Sequence, residues 1–300
     1  MKRRDFLARS GLAMAGVGVA RGQEEQESGE VANPIVVFEK PIQNLSYDVI
    51  GEQLAKMGIQ GIEATIRKGG HIDPAKAEGE IPKMVASLAK NGQQALIAAT
   101  NVNEASEETE KFLRTLKANG ITKYRMEYYR YDLKKSPLEQ LRENVAKLRD
   151  LAAMSAEIGV QALYQIHAGA KYAGSLSWDA AIMFEKIDPD HAAVAFDLRH
   201  VRADTGKSFD LALANLRPHI RSIFVKDARW TGDRTDQLQN VPLDSGMISK
   251  AVFEKVRKGL GPMPYSLHME WGKTQLYPKN EAMDAVELIA RDVKVLKSWI

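Results

Sequence analysis

The sequence contains no cysteine. Disulfides, zinc–thiolate centres and thiol nucleophiles are therefore excluded. A glycine-rich turn is also missing where a nucleotide fold would place it. Residues 35–38 form the first strand-like run, and Phe38-Glu39-Lys40-Pro41 follows with no phosphate-cradling loop. This counts against a doubly wound sheet and against a nucleotide cofactor. Beyond one short N-terminal run there is no second apolar span, no long internal repeat and no low-complexity tract. Net charge is small as well, +3 over 300 residues. Residues 1–23 hold five basic residues and one acid, so taking their +4 from +3 leaves −1 for the rest. A body without a basic field has no footprint for nucleic acid.

What is present begins with Lys2-Arg3-Arg4-Asp5-Phe6-Leu7, a basic stretch with paired arginines. An apolar run over 11–20 follows, shorter than the about 20 residues that span a bilayer. Small residues Gly18 and Ala20 offer a cleavage site. The order of these parts reads as a twin-arginine signal peptide over 1–23. A polar linker over 24–33 and a domain over 34–300 complete the division. The expectation is export to the periplasm or another extracytoplasmic space, with membrane contact only through the signal. A retained signal acting as a tether is the alternative.

From residue 35 onward strand and helix signals alternate. Strands are predicted at 35–38, 59–66, 95–99, 124–128, 162–166, 193–196, 222–225 and 265–269. Helices are predicted at 47–57, 75–91, 104–118, 137–158, 178–187, 209–216, 248–258 and 281–299, several stopped by glycine. Eight strands alternating with eight helices predict a single (β/α)8 TIM barrel.

The late strands run from apolar residues into chemically potent ones: Leu163-Tyr164-Gln165-Ile166-His167, Phe196-Asp197-Leu198-Arg199-His200, Val225-Lys226-Asp227 and His268-Met269-Glu270. In a parallel barrel the carboxyl ends of strands converge on one face, where active sites are built. His167 suits a general acid or base. Asp197 with His200 suits a cation or a sugar hydroxyl, and Arg199 suits an anionic group. Lys226 can move a proton or polarise a carbonyl; a salt bridge to Asp197 or Glu270 is the plainer reading. Glu63 sits in an apolar run, as a base or as a buried partner of Arg67. His71 lies in a glycine turn, as a closing loop residue or an exposed one. Trp230 could wall a sugar face. In strand four, a Tyr128 turned into the helix layer would leave Glu127 and Tyr129 pointing inward.

Taken in order, Gly61-Ile62-Glu63, Tyr164-Gln165-Ile166-His167, Phe196-Asp197-Leu198-Arg199-His200, Val225-Lys226-Asp227, Pro242-Leu243 with Gly246, and His268-Met269-Glu270 resemble the xylose isomerase-like barrels. The likeness spans about residues 34–298 and is nearest to exported sugar-isomerase/epimerase-like members. It implies a divalent ion held by Glu, Asp, His and Glu at the ends of strands five to eight, positions that fall here on Gln165, Asp197, Phe224 and Glu270. Gln and Phe are departures from that ligand set. An ion held by Asp197, Glu270 and His200 would be Mn²⁺, Mg²⁺ or Zn²⁺.

The function expected is an exported isomerase or epimerase taking a proton from beside the carbonyl of a sugar or polyol ketone. Glu270 or Glu63 is the expected base, His167 the acid, and Lys226 the stabiliser of the enediolate oxygen. Gln165, Arg199, His200, His71 and Trp230 would bind substrate. Two alternatives stand: a lyase or dehydratase of a keto-sugar starting with the same step, and a non-catalytic sugar-binding barrel with a degenerate metal site.

Overall fold

Short runs of β-branched and small apolar residues set the strands, and capped amphipathic segments set the helices between them. A computed structural model describes residues 32–232 and 237–300. The expected signal at 1–23 and all but the end of the linker lie outside the described residues.

The barrel strands are β1 (Ile35–Phe38), β2 (Gly61–Thr65), β3 (Gln94–Ala99), β4 (Lys123–Arg125), β5 (Gln161–Gln165), β6 (Ala192–Asp197), β7 (Ile220–Val225) and, after an inserted hairpin, β10 (Tyr265–Leu267). They pair in parallel in that order, and β10 returns to β1 with Ile35 opposite Tyr265, so the sheet is closed. The hairpin is β8 (Asp227–Thr231) with β9 (Gln237–Val241), paired antiparallel.

The helices are α1 (Tyr47–Met57), α2 (Ala77–Ala89), α3 (Glu107–Ala118), α4 (Pro137–Ile158), α5 (Trp178–Phe184), α6 (Leu198–Thr205), α7 (Phe209–Leu216), α8 (Lys250–Arg257) and α9 (Ala282–Lys297). Local chemistry explains several ends. Ser46 caps α1 by accepting from the Val49 N–H, and Gly58 closes it at φ 64°. Ser136 and Pro137 open α4, and Gly159 closes it at φ 77°.

The predicted barrel is therefore observed, with three local corrections. Strand four ends at Arg125, three residues before the predicted end at 128. Beyond it the chain leaves the sheet, so alternation no longer governs the tyrosines. Tyr129 turns into the helix layer and stacks on Tyr164 at 5.8 Å, while Tyr128 turns to the barrel mouth and donates to Gln165. Second, α6 was not expected; it starts directly at the end of β6, with Asp197 as its cap. Third, the β8–β9 hairpin was not expected, because each strand has only five residues and the shared apolar face is brief, Ala228, Trp230 and Leu238 beside Asn240.

The main core lies between the barrel and the helix layer. It includes Ile62, Tyr124, Tyr164, Phe196 and Leu267 from the outward faces of the strands. Close approach of β2 to β3 depends on Gly61, where an added Cβ would stand 1.9 Å from the Gln94 carbonyl oxygen. Gly61→Ala is expected to lower unfolding stability by at least ~2 kcal/mol, since a closed sheet cannot part locally to admit a methyl. Urea denaturation of the two proteins measures this, and an unchanged midpoint would refute it.

Candidate active site at the barrel mouth

Strand alternation decides which side chains reach the barrel axis. Val36, Ile97, Leu163, Ala193, Ala195 and Phe224 form an apolar floor. Toward the carboxyl ends of the strands, the inward positions become Glu63, Arg125, Gln165, Asp197, Lys226 and His268, all buried. Six strands thus place polar groups in one layer.

At its centre is a buried ion pair. Arg125 Nε lies 2.9 Å from Glu63 Oε1, with side chains 6% and 0% exposed. The guanidinium rests over the Phe38 ring at 4.5 Å and near Phe224 at 5.7 Å. Glu63 Oε2 accepts from Ser266 Oγ and from His268 Nε2, the latter at 2.9 Å. Arg67, the partner expected for Glu63, instead lies over Phe38 at 5.4 Å. Burial works to raise the Glu63 pKa, but Arg125 and His268 together hold it down at about 2.

From this pair the contacts continue around the mouth. Arg125 Nη1 donates to Gln165 Oε1 at 2.7 Å, and Tyr128 OH donates to the same oxygen at 2.6 Å. Gln165 Nε2 donates to Asp197 Oδ2 at 2.6 Å. Asp197 Oδ1 accepts the His200 backbone N–H at 3.0 Å, capping α6. Lys226 Nζ stands 3.4 Å from Asp197 Oδ2 and 3.0 Å from Glu270 Oε1. Glu270 Oε1 lies 3.9 Å from His268 Nδ1, which brings the circuit back to Glu63. Glu270 is 19% exposed, whereas Glu63 and Asp197 are sealed. Burial pushes its carboxyl up, and Lys226 and His268 override this and hold it at about 2.

Three histidines border this ring. The Nδ1 of His167 lies 2.9 Å from the Ala168 carbonyl oxygen. A carbonyl only accepts, so Nδ1 carries the proton and Nε2 presents a lone pair. Burial and then the Lys226 charge lower its pKa from 6.5 to about 4. Its ring packs on His200 at 3.9 Å and on Tyr172 at 4.2 Å. His200 Nδ1 accepts from Arg199 at 2.7 Å, and burial pushes His200 well below its ordinary value. His268 is lowered by burial, against the pull of Glu63.

The structure thus gathers Glu63, Gln165, His167, Asp197, Arg199, His200, Lys226 and Glu270 at one mouth. It sets two expected residues apart. His71 stacks on Tyr47 at 4.0 Å and faces Glu39 at 3.5 Å on the β1–β2 side. Trp230 lies on the hairpin and is 41% exposed. Arg125 and Tyr128 are members that sequence reasoning missed. Counting alternation from the outward Tyr124 would have placed Arg125 inward; nothing comparable marks Tyr128, which lies past the end of the strand.

Comparison with known proteins agrees with this architecture. The family description "Xylose isomerase-like TIM barrel" matches residues 52–299. The chain belongs to that family. Among solved structures it is similar to a probable 3-DHS dehydratase involved in petrobactin synthesis from Bacillus anthracis, at 15% identity and TM-score 0.64, covering 88% of this chain and 98% of that one. It is similar to 3-keto-D-glucoside 4-epimerase from E. coli, at 15% identity and TM-score 0.59, covering 86% and 98%. It is also similar to a xylose isomerase-like TIM barrel protein from Mycobacterium smegmatis in complex with magnesium, at 13% identity and TM-score 0.60, covering 87% and 97%. Identities this low establish the shared fold alone. No curated protein sequence matches the chain significantly.

The donor set does not fit the divalent ion that some xylose isomerase-like barrels bind. Both acceptor directions of the Gln165 oxygen are taken by Arg125 and Tyr128. Phe224 offers no donor atom. The expected trio Asp197, Glu270 and His200 is split by Lys226, and His200 Nε2 is 3.9 Å from Asp197 Oδ2. Among the described residues, no group of three His, Asp or Glu side chains forms a metal-ligand cluster.

The shifted groups give the fold a defined acid response. A histidine lowered from 6.5 to about 4 contributes stability above pH 6.5 that is lost as pH falls through 4. His200 and His268 act in the same direction. Glu63 and Glu270, lowered from 4.5 to about 2, contribute above pH 4.5 and fail nearer 2. Asp204, Asp227 and Asp292 are raised by burial and offset part of this in the carboxylate range. Melting temperature is therefore expected to fall as pH drops from 6.5 to 4, and His167→Asn is expected to flatten that limb. A wild-type melting temperature constant over this interval would contradict the assignment.

Proposed function

We propose that the chain is an enzyme of the isomerase or epimerase type, acting on a sugar or polyol ketone by proton transfer at the carbon beside its carbonyl. The observation that carries this reading is the contact of His167 Nδ1 with the Ala168 carbonyl, which leaves Nε2 as the lone-pair nitrogen of a base held at the mouth within the field of the Lys226 ammonium. A base and an electrophile on separate strands are what the step requires. The proton passes to His167 Nε2, the electron pair moves to the carbonyl oxygen, and Lys226 stabilises the negative charge that develops there. Delivery of a proton from solvent to the opposite face epimerises the carbon; return of the proton to the former carbonyl carbon, with the hydroxyl proton passing from the neighbouring oxygen to the former carbonyl oxygen, isomerises the ketone.

This assigns His167 the part of the base. Glu63 is sealed, with its oxygens engaged by Arg125, Ser266 and His268, and it serves to position the other groups. Glu270 is partly open but bound to Lys226, so its role is to hold the ammonium and a substrate hydroxyl. Arg199 and Tyr128 flank the opening and suit further hydroxyls. A lyase or dehydratase would share the first step and differ in expelling a hydroxyl afterward. One observation favours a sugar-binding barrel without turnover: both carboxylates expected as the base, Glu63 and Glu270, are engaged by cations that hold them at about 2 and leave them weakly basic.

Incubation with ketoses in D₂O, followed by proton NMR, separates these readings. Deuterium should enter beside the carbonyl, and His167→Asn should slow this at least ~100-fold. The acid limb of kcat/KM should lie near 4 and not near the ordinary 6.5. A ketose that binds, raising the melting temperature, yet exchanges no proton would leave the binding-only barrel.

We also propose that residues 1–23 direct export by the twin-arginine route. Cell fractionation should find wild type shortened and outside the cytoplasm, and Arg3→Lys/Arg4→Lys full-length and retained. Full-length wild type confined to the cytoplasm would defeat the proposal.

A further inference from the structure

We infer that the Lys226 ammonium is a resident replacement for the divalent ion of this barrel type, so that the mouth carries its cation covalently. The inference rests on the reading above and deepens it by saying why the electrophile of that mouth is an ammonium and not an ion. Its test counts bound ions and not turnover, so either can fail without the other.

Three observations converge. First, Lys226 Nζ occupies the place an ion would need, 3.4 Å from Asp197 Oδ2 and 3.0 Å from Glu270 Oε1, with its side chain 4% exposed. A divalent ion seated at ~2.0–2.6 Å from those oxygens would meet the ammonium head-on. Second, the two departures in the ligand set match this exchange. Replacing an ion of charge +2 by an ammonium of +1 leaves one negative charge too many at the mouth. Gln165 removes that charge while keeping the shape of a glutamate. Its amide is turned so that the nitrogen serves Asp197 and the oxygen serves Arg125 and Tyr128, leaving no lone pair for a metal. Third, the aromatic at position 224 is built in and not merely tolerated. Phe224 is fully buried, packs on His268 at 4.7 Å and lies 5.7 Å from the Arg125 guanidinium. Where the resemblance implies a histidine donor, this chain has part of the barrel's apolar floor.

The chemical consequence follows from the geometry of an ammonium. It has three N–H groups, and two face Asp197 and Glu270. One remains for a substrate oxygen. The mouth therefore grips a single carbonyl oxygen, where a metal would chelate a carbonyl and its neighbouring hydroxyl together.

The experiment uses the full chain, dialysed against EDTA and titrated with MnCl₂ by calorimetry and electron paramagnetic resonance. Wild type is expected to show no saturable site and no change in melting temperature. Gln165→Glu/Phe224→His/Lys226→Ala is expected to take up one Mn²⁺ per chain, at least ~100-fold more tightly than wild type, with a rise in melting temperature. Lys226→Ala alone guards against misfolding of the triple variant, and is expected to bind Mn²⁺ weakly but measurably. Wild type holding one Mn²⁺ that Asp197→Asn removes would overturn the inference. So would a folded Lys226→Ala protein, checked by circular dichroism, that binds no better than wild type.

Discussion

The buried Glu63–Arg125 pair is the constraint from which the rest of the mouth follows. Two opposite charges inside a barrel are tolerated only if every remaining donor and acceptor finds a partner. That demand propagates outward. Glu63 takes Ser266 and His268 on one side. Arg125 takes Gln165 on the other, which fixes the amide orientation and so presents a donor to Asp197. Asp197, capped onto α6 and facing Lys226, passes the requirement on to Glu270. Losing one member of the central pair would leave its partner charged and dry, at a cost of ~3–5 kcal/mol.

This network divides the ionisable groups into two populations. Glu63 and Glu270 are held by neighbouring cations and stay ionised far below neutrality, so they hold geometry. His167 sits beside Lys226 without a charged partner of its own, and burial keeps it neutral. A proton can therefore be accepted at His167 while the carboxylates stay as they are. The fixed charges of Glu63 and Glu270 and the neutral imidazole of His167 thus come from different βα units of one barrel.

Much of the fold was legible because its signals are local. The limits of α1, α4 and α7 follow from Ser46, Ser136, Gly58 and Gly159 and from helical spacing. The rim residues at the ends of β5, β6, β7 and β10 stood out as polar groups terminating apolar runs. Arg125 was harder, because strand β4 has only three residues and Arg125 precedes a tyrosine-rich loop that mimics a longer strand. Tyr128 was illegible, since its direction depends on where the chain leaves the sheet. The β8–β9 hairpin escaped notice because its apolar face, Ala228, Trp230 and Leu238, is too brief a pattern to stand out from a loop.

The sequence alone determined the barrel, through eight apolar runs and the capped helices between them, and it determined which residue types stand at the strand ends. Both depend on spacing of two and of 3.6 residues, which any reader of the chain can count. Only tertiary structure decided who pairs with whom. Whether Glu63 meets Arg67 or Arg125, whether Lys226 lies beside one carboxylate or between two, and which way the Gln165 amide turns are questions about strands far apart in the chain. Their answers come from closure of the sheet, which brings β2, β4, β6 and β7 around one axis and makes each buried charge choose the partner within reach.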